Sequence, residues 1–323
     1  THKNIIVLVP DGCGTAHLTV SRWFKGDSLA VDKMEDVGLA QTWMSNSLVT
    51  GSASAGTAFA CGYKTNVLHL ACKPSQVTVP VEVTVDSADI NHPVASILEG
   101  ARLLGKATGL IATSDFRHAT PAAFASHWYY RNSKMLLAQQ MANNQVDVLF
   151  GGGYSFIDDN PNGFSMTDLG YDYIKSLADF TSLNTTSMQK VWGLFAAGAL
   201  KKDLDRQAMG AEEPSLAEMT QTAIDILSND EDGFFLMVEA SQVDWASHGN
   251  DPVGVVTDFI AFDDAVQAAL DFAAEDGNTL VLAFPDHDNG GMSLYADDVY
   301  ELDPSYKNVT DRKSTRLNSS HYS

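Results

Sequence analysis

The chain has 323 residues, 45% of them hydrophobic, with 41 acidic side chains against 20 basic ones. Its length suffices for a substantial core, and no run of about 18 uncharged apolar residues offers a membrane span. A formal charge of −21 repels polyanions and argues against nucleic-acid binding through a basic surface. Three cysteines, Cys13, Cys61 and Cys72, are too few for a disulfide framework, although Cys61 and Cys72 could pair in an exported protein. The opening THKNIIVLV shows no leader, as expected of either a mature exported protein or a fragment.

Short apolar runs alternate with amphipathic stretches along the chain. Strands are expected at 4–9, 39–44, 107–113, 147–152, 234–240 and 279–284. Helices are expected at 92–105, 215–228 and 257–273. The second helix opens on a capping box, Ser215 with Glu218, and the third places Phe259, Phe262, Val266 and Leu270 on one face. Strands that are apolar throughout, separated by such helices, indicate an α/β three-layer sandwich. Its central sheet is mainly parallel, with helices on both faces. No repeat or long linker divides the chain, so one domain is expected, with irregular insertions at 66–91 and 154–190.

In such sheets ligands bind beyond the carboxyl ends of the strands, and unusual polar residues fall there. The first strand leads into PDGCG, with Asp11 in a glycine turn. The stretch 39–44 leads to Gly51-Ser52 and then small residues of helical character. That places a hydroxyl at a helix N-terminus, either as a plain cap or beside a bound anion. SASAG also approximates a serine-hydrolase elbow on Ser54. The strand at 107–113 precedes His118 and Thr120, with Pro121 as a favourable helix start. Arg131 follows about a helix length later.

In FFLMVEASQVDWASHGND (234–251), Glu239 interrupts an apolar strand, which is costly unless the carboxylate is paired or faces a cation. Asp244 and His248 stand one helical turn apart, a spacing that lets both ligate one metal. The last strand leads into DHDNGG, with Asp286 and His287. Imidazole with carboxylate suits zinc, whereas carboxylate with hydroxyl suits magnesium. The set is too large for one ion and right for two or three, the arrangement of in-line phosphoryl transfer.

With PDGCG, GSASAGTA, HATPAA, PSLAEMT, FFLMVEASQVDWASHGND and DHDNGG in this order, the chain resembles the alkaline phosphatase family over nearly all of 3–295. The resemblance implies a phosphomonoesterase of broad substrate range. Ser52 would be the nucleophile of a double displacement through phosphoserine, and Arg131 would grip the phosphate. It implies one zinc near Asp11, Ser52, Asp286 and His287, a second held by Asp244 and His248, and magnesium held by Asp11, Thr120 and Glu239. It further implies a homodimer in the periplasm or secreted. A phosphodiesterase, a sulfatase, a metal-free esterase using Ser54 and a silent metal-binding domain are the rival readings.

The match departs from the family pattern in three places. Gly51 stands where an aspartate often precedes the nucleophile. His118 and Trp245 stand where the enteric bacterial form has Asp and Lys, and this pairing resembles marine bacterial members. A further zinc-binding histidine is expected well beyond DHDNGG, where only His321 occurs. Residues 311–323 (DRKSTRLNSSHYS) lack apolar periodicity and resemble translated sequencing-adapter DNA. They are read as a non-native tail on a catalytic domain spanning 1–310 and cut short near Thr310. Such a fragment would be impaired in turnover.

Overall fold

The strands of the computed structural model are β1 (Asn4–Pro10), β2 (Ala107–Asp115), β3 (Val148–Gly152), β4 (Asp172–Ile174), β5 (Val191–Leu194), β6 (Phe234–Ala240) and β7 (Thr279–Ala283). The structure describes residues 2–159, 165–210 and 212–294. The expected tail at 311–323, the boundary at Thr310 and His321 lie outside the described residues. Every strand pairs parallel, in the order β4-β5-β3-β2-β6-β1-β7. β6 sits between β1 and β2, with Glu239 opposite both Val9 and Ala112.

Side chains alternate across the sheet, and each parity packs on its own layer. Ile6 and Leu8 of β1, with Phe234, Leu236 and Val238 of β6, meet Met219 and Ile224 of helix Leu216–Leu227. The same layer holds Phe259 and Phe262 of helix Pro252–Asp276. Val7 and Val9, with Phe235 and Met237, meet Ala53 and Ala60 of helix Ser52–Cys61. Phe124 of helix Ala119–Ala125 and Leu137 of helix Lys134–Asn143 complete this second layer. Each buried Phe contributes about 1.5–3 kcal/mol relative to exposure. The three layers expected from the apolar strands are therefore present. Asp11 continues the parity of Val7 and Val9, and Glu239 that of Phe235 and Met237. Both carboxylates thus belong to the layer that carries Ser52.

Five of the six expected strands are present, and the sixth requires correction. Residues 39–44 form no strand: Met44 makes one isolated bridge to Ser47, and Leu39 is fully exposed. Both edges of β1 are already taken by β6 and β7, so an extra run has no central position to fill. β4 and β5 went unexpected because Asp172–Ile174 and Val191–Leu194 are only three and four residues long. β4, with helices Tyr154–Asp158 and Leu177–Thr181, also shows that the described residues of 154–190 hold more regular structure than their composition suggested.

Helix Leu216–Leu227 starts on the expected capping box, with Ser215 Oγ accepting from Glu218 N. The first expected helix is shorter, Ile97–Leu103, behind its own box at Ser96 and Glu99. Helix Pro252–Asp276 begins five residues before the expected start of 257, on an Asp251 cap that accepts from Gly254 N at 2.9 Å. Cys13, Cys61 and Cys72 are free thiols.

Asp258, on that last helix, is buried, with Oδ1 accepting from Asp203 N at 2.7 Å and Oδ2 without a hydrogen-bond partner. Burial pushes its carboxyl up to about 7; the Asp203 amide and Lys202 oppose this, whereas the charges of Asp203 and Asp251 reinforce it. A raised carboxyl binds its proton more tightly folded than unfolded. The stability it confers is therefore full below the unfolded value near 4 and is lost as pH rises through about 7. Asp258→Asn, which keeps Oδ1 as acceptor, is expected to melt like the parent at pH 4. At pH 8 it should gain about 2–4 kcal/mol of stability. A gain of equal size at both pH values in thermal melts would refute this assignment.

Candidate active site

At the end of β1 the chain turns on Gly12, whose φ of 64° is left-handed. A Cβ there would lie 2.5 Å from both Asp244 Oδ1 and Asn289 Nδ2, so only glycine allows the approach. Gly12 N donates to Asp286 Oδ1 at 3.0 Å, and His287 N donates to the same oxygen at 2.9 Å. These bonds join the ends of β1 and β7.

Ser52 is the first residue of helix Ser52–Cys61, behind an extended Gly51. It follows an irregular segment and not a strand, contrary to the expectation, but the helix N-terminus is as expected. Its Oγ lies 3.3 Å from Asp11 Oδ2, 3.5 Å from Asp11 Oδ1 and 3.4 Å from His287 Nε2. His287 Nε2 is also 3.6 Å from Asp11 Oδ1 and 3.3 Å from Asp286 Oδ2. One ligand atom each from Asp11, Asp286 and His287 fall within 4.8 Å of one another, a spacing that admits a metal ion.

Asp11, Glu239, Asp244 and Asp286 are all buried. Burial first, and then the charges of Asp286, Asp244 and Glu239, hold the Asp11 carboxyl well above the usual range. Burial also pushes Glu239 up to about 7, and the charge of Asp286 adds to the shift. The side chains of Asp11, Ser241 and Thr120 pull the other way. The Thr120 and Ser241 hydroxyls, however, stand outside hydrogen-bonding geometry. Thr120 Oγ1, Glu239 Oε1 and Asp286 Oδ2 are buried with no hydrogen-bond partner. Neutral partners satisfy so little of this set that divalent cations fit it best.

Helix Gln242–His248 carries Asp244 inward and His248 outward. His248 Nε2 is 3.4 Å from Asp244 Oδ1, but its side chain is 60% exposed. This pair sits at the rim, apart from the tighter Asp11, Asp286 and His287 group. His118 caps helix Ala119–Ala125, which begins two residues earlier than Pro121 suggested. Its ring meets Trp245 edge-on at 5.2 Å, and its Nδ1 accepts from Arg131 Nη2 at 3.4 Å. Burial, then the charges of Arg131 and Lys134, push His118 down to about 3, so the ring is neutral at physiological pH. Ser54 is buried and donates to Asn66 O at 2.8 Å, which gives its hydroxyl a structural partner.

Two contributors went unnoticed in the sequence. Asn289 Nδ2 donates to Asp244 Oδ1 at 2.9 Å and reaches Gly12 O at 3.4 Å, which ties the rim helix to the glycine turn. It lies inside DHDNGG, where its neighbours drew the notice. Ser114 Oγ, 3.5 Å from Glu239 Oε2, sits near the end of β2 and has no flanking motif to mark it.

A family model described as alkaline phosphatase matches residues 2–322. The chain belongs to the alkaline phosphatase family. Alkaline phosphatase 3 of Bacillus subtilis (strain 168) is 38% identical over 315 residues, covering 92% of this chain and 63% of that protein. The chain therefore spans less than two thirds of that relative's length. Among solved structures, alkaline phosphatase from the Antarctic bacterium TAB5 is 32% identical with a TM-score of 0.80, covering 93% of this chain and 83% of the other. A variant of the TAB5 enzyme with magnesium bound in its M3 site is 30% identical with a TM-score of 0.79, covering 94% and 83%.

Zinc titrated into metal-free protein is expected to bind more tightly at Asp11, Asp286 and His287 than at Asp244 and His248. In calorimetry His287→Ala should remove the tighter step and His248→Ala should spare it. The reverse pattern would show that the rim pair is the stronger site.

Proposed function

We propose that this chain is the catalytic domain of a metal-dependent phosphomonoesterase that works through a phosphoserine. The observation that carries the reading is the Ser52 hydroxyl. It stands at a helix N-terminus, within 3.5 Å of Asp11 and His287, beside four buried carboxylates.

Asp11, Asp286 and His287 would hold one zinc, and Asp244 with His248 would contribute to a second. Asp11, Thr120 and Glu239 would hold magnesium, the ion found in the related TAB5 variant. When bound, such cations neutralise the carboxylates, favour the ionised serine and polarise the departing ester oxygen. Ser52 Oγ forms the bond to phosphorus as the ester P–O bond breaks, and the alcohol leaves with a proton. Water then displaces Ser52 from phosphorus, releasing inorganic phosphate and restoring the hydroxyl. The N–H groups of the first helical turn face the incoming anion. Arg131 offers two parallel N–H donors to the phosphate oxygens, and the neutral His118 behind it accepts from its Nη2 without adding a second positive charge. The ester's alcohol is recognised little, so the substrate range is broad.

An exported homodimer belongs to the same reading. Supporting it, Leu39, Leu48, Val49, Val81 and Val83 are exposed. Thr78 N and Val79 N donate to Ser45 O, which sets these irregular segments side by side. No helix among the described residues is long and apolar enough to cross a membrane.

With zinc and magnesium supplied, Ser52→Ala is expected to lower p-nitrophenyl phosphate turnover by at least about 1,000-fold. The same substitution should abolish acid-trapped phosphoenzyme, and a chelator should silence the parent chain. Turnover that survives either Ser52→Ala or the chelator would refute the mechanism. Faster cleavage of a diester or a sulfate ester than of the monoester would reassign the substrate class.

A further inference from the structure

Arg131 can grip a phosphate only if the loop that carries it is held still. That loop, 126–133, has no regular secondary structure. On one side Gln140 clasps His127, its Oε1 accepting from His127 N at 2.7 Å and its Nε2 donating to His127 O at 3.2 Å. On the other side lies a strap, residues 66–72. Leu70 and Trp128 exchange backbone hydrogen bonds at 2.8 and 2.9 Å, and Arg131 N donates to Leu68 O at 2.9 Å. His127 Nδ1 adds a contact to Ala71 O at 3.0 Å.

The strap is strained where it makes these contacts. Leu68 and Ala71 have φ of 66° and 42°, a left-handed region that a residue with a Cβ keeps only where its surroundings enforce it. What enforces it is Thr57, fully buried on helix Ser52–Cys61. Its Oγ1 accepts from Ala71 N at 2.9 Å. Its single proton is shared between Ala53 O at 2.8 Å and His69 O at 3.2 Å. A second tie, from His69 Nε2 to Asn91 Oδ1 at 2.8 Å, holds the outer end of the strap.

We propose that Thr57 is a positioning residue for Arg131. Through the strap it references the phosphate-gripping side chain to the same helix that presents Ser52. The proposal rests on the reading of Arg131 as the phosphate grip. Gly51, the neighbour of Ser52, has no side chain that could orient the arginine. The Thr57 route supplies a backbone alternative.

The test uses the full chain with zinc and magnesium. It compares Thr57→Val, Thr57→Ser, Arg131→Ala and the double variant Thr57→Val/Arg131→Ala. Thr57→Val is expected to weaken inhibition by inorganic phosphate about 5- to 30-fold and to lower kcat/KM for p-nitrophenyl phosphate by a similar factor. Thr57→Ser, which keeps the hydroxyl, should stay within about 2-fold of the parent on both measures. Amide exchange at Ala71 and Arg131 should accelerate in Thr57→Val and not in Thr57→Ser. In the Arg131→Ala background the valine should add less than about a 2-fold further loss, because its effect runs through the missing arginine. Thr57→Ala answers the same question if the valine variant does not fold.

If Arg131→Ala weakens phosphate binding and Thr57→Val does not, the positioning role is wrong. A loss of the same size with and without Arg131 would also overturn it, by showing that Thr57 acts on Ser52 instead. If Arg131→Ala leaves phosphate binding unchanged, the grip reading itself has failed, and the proposal falls with it.

Discussion

Four carboxylates, Asp11, Glu239, Asp244 and Asp286, are buried around one rim, and their mutual repulsion is the constraint that governs the site. Asp11 and Glu239 are driven to retain protons by burial and by their acidic neighbours. Hydrogen bonding relieves little of this: Gly12 N and His287 N serve one oxygen of Asp286, while its Oδ2 and Glu239 Oε1 have no hydrogen-bond partner. A divalent cation among them would outweigh this repulsion through its own attraction to each carboxylate. The field at the mouth would then follow the ions and not the net charge.

The sheet is what brings such unfriendly groups together. Asp11 and Asp286 are 275 positions apart in the chain, yet β1 and β7 are neighbours and the glycine turn is threaded between their ends. Parity does the rest. Glu239 alternates with residues that pack on helices Leu216–Leu227 and Pro252–Asp276, so its own side chain faces the opposite layer, where Ser52 and Thr120 begin their helices. The hydrophobic pattern that builds the core therefore also decides which polar groups meet.

Much of this was legible in the sequence. Phe234–Ala240 is apolar enough to be read as a buried strand with one anomalous acid, and that acid is fully buried beside Asp11. Asp11, Asp286 and His287 were marked by their place after apolar runs, and Ser52 by the small residues of its helix. Other features resist such reading. Leu39–Met44 has strand-like composition, but strand formation depends on cross-strand neighbours, which local sequence does not encode. β4 and β5 are too short to show a period. Helix Pro252–Asp276 starts on Asp251-Pro252, a cap and proline that lie outside the apolar face beginning further on. The roles of Asn289 and Thr57 are matters of distance, set by segments that touch only in the folded chain.

The placement of β6 between β1 and β2 also bears on how the protein comes to be native. Pairings between segments about 230 residues apart are slow to find and prone to slip. A slip of one residue along β6 would turn Glu239 toward Met219 and Phe259, and would leave Asp11 facing an apolar side chain. Cations captured at the rim would bind the correctly aligned chain best, and so would favour the native register over its shifted competitors. Ions bound there would thereby favour correct folding as well as chemistry.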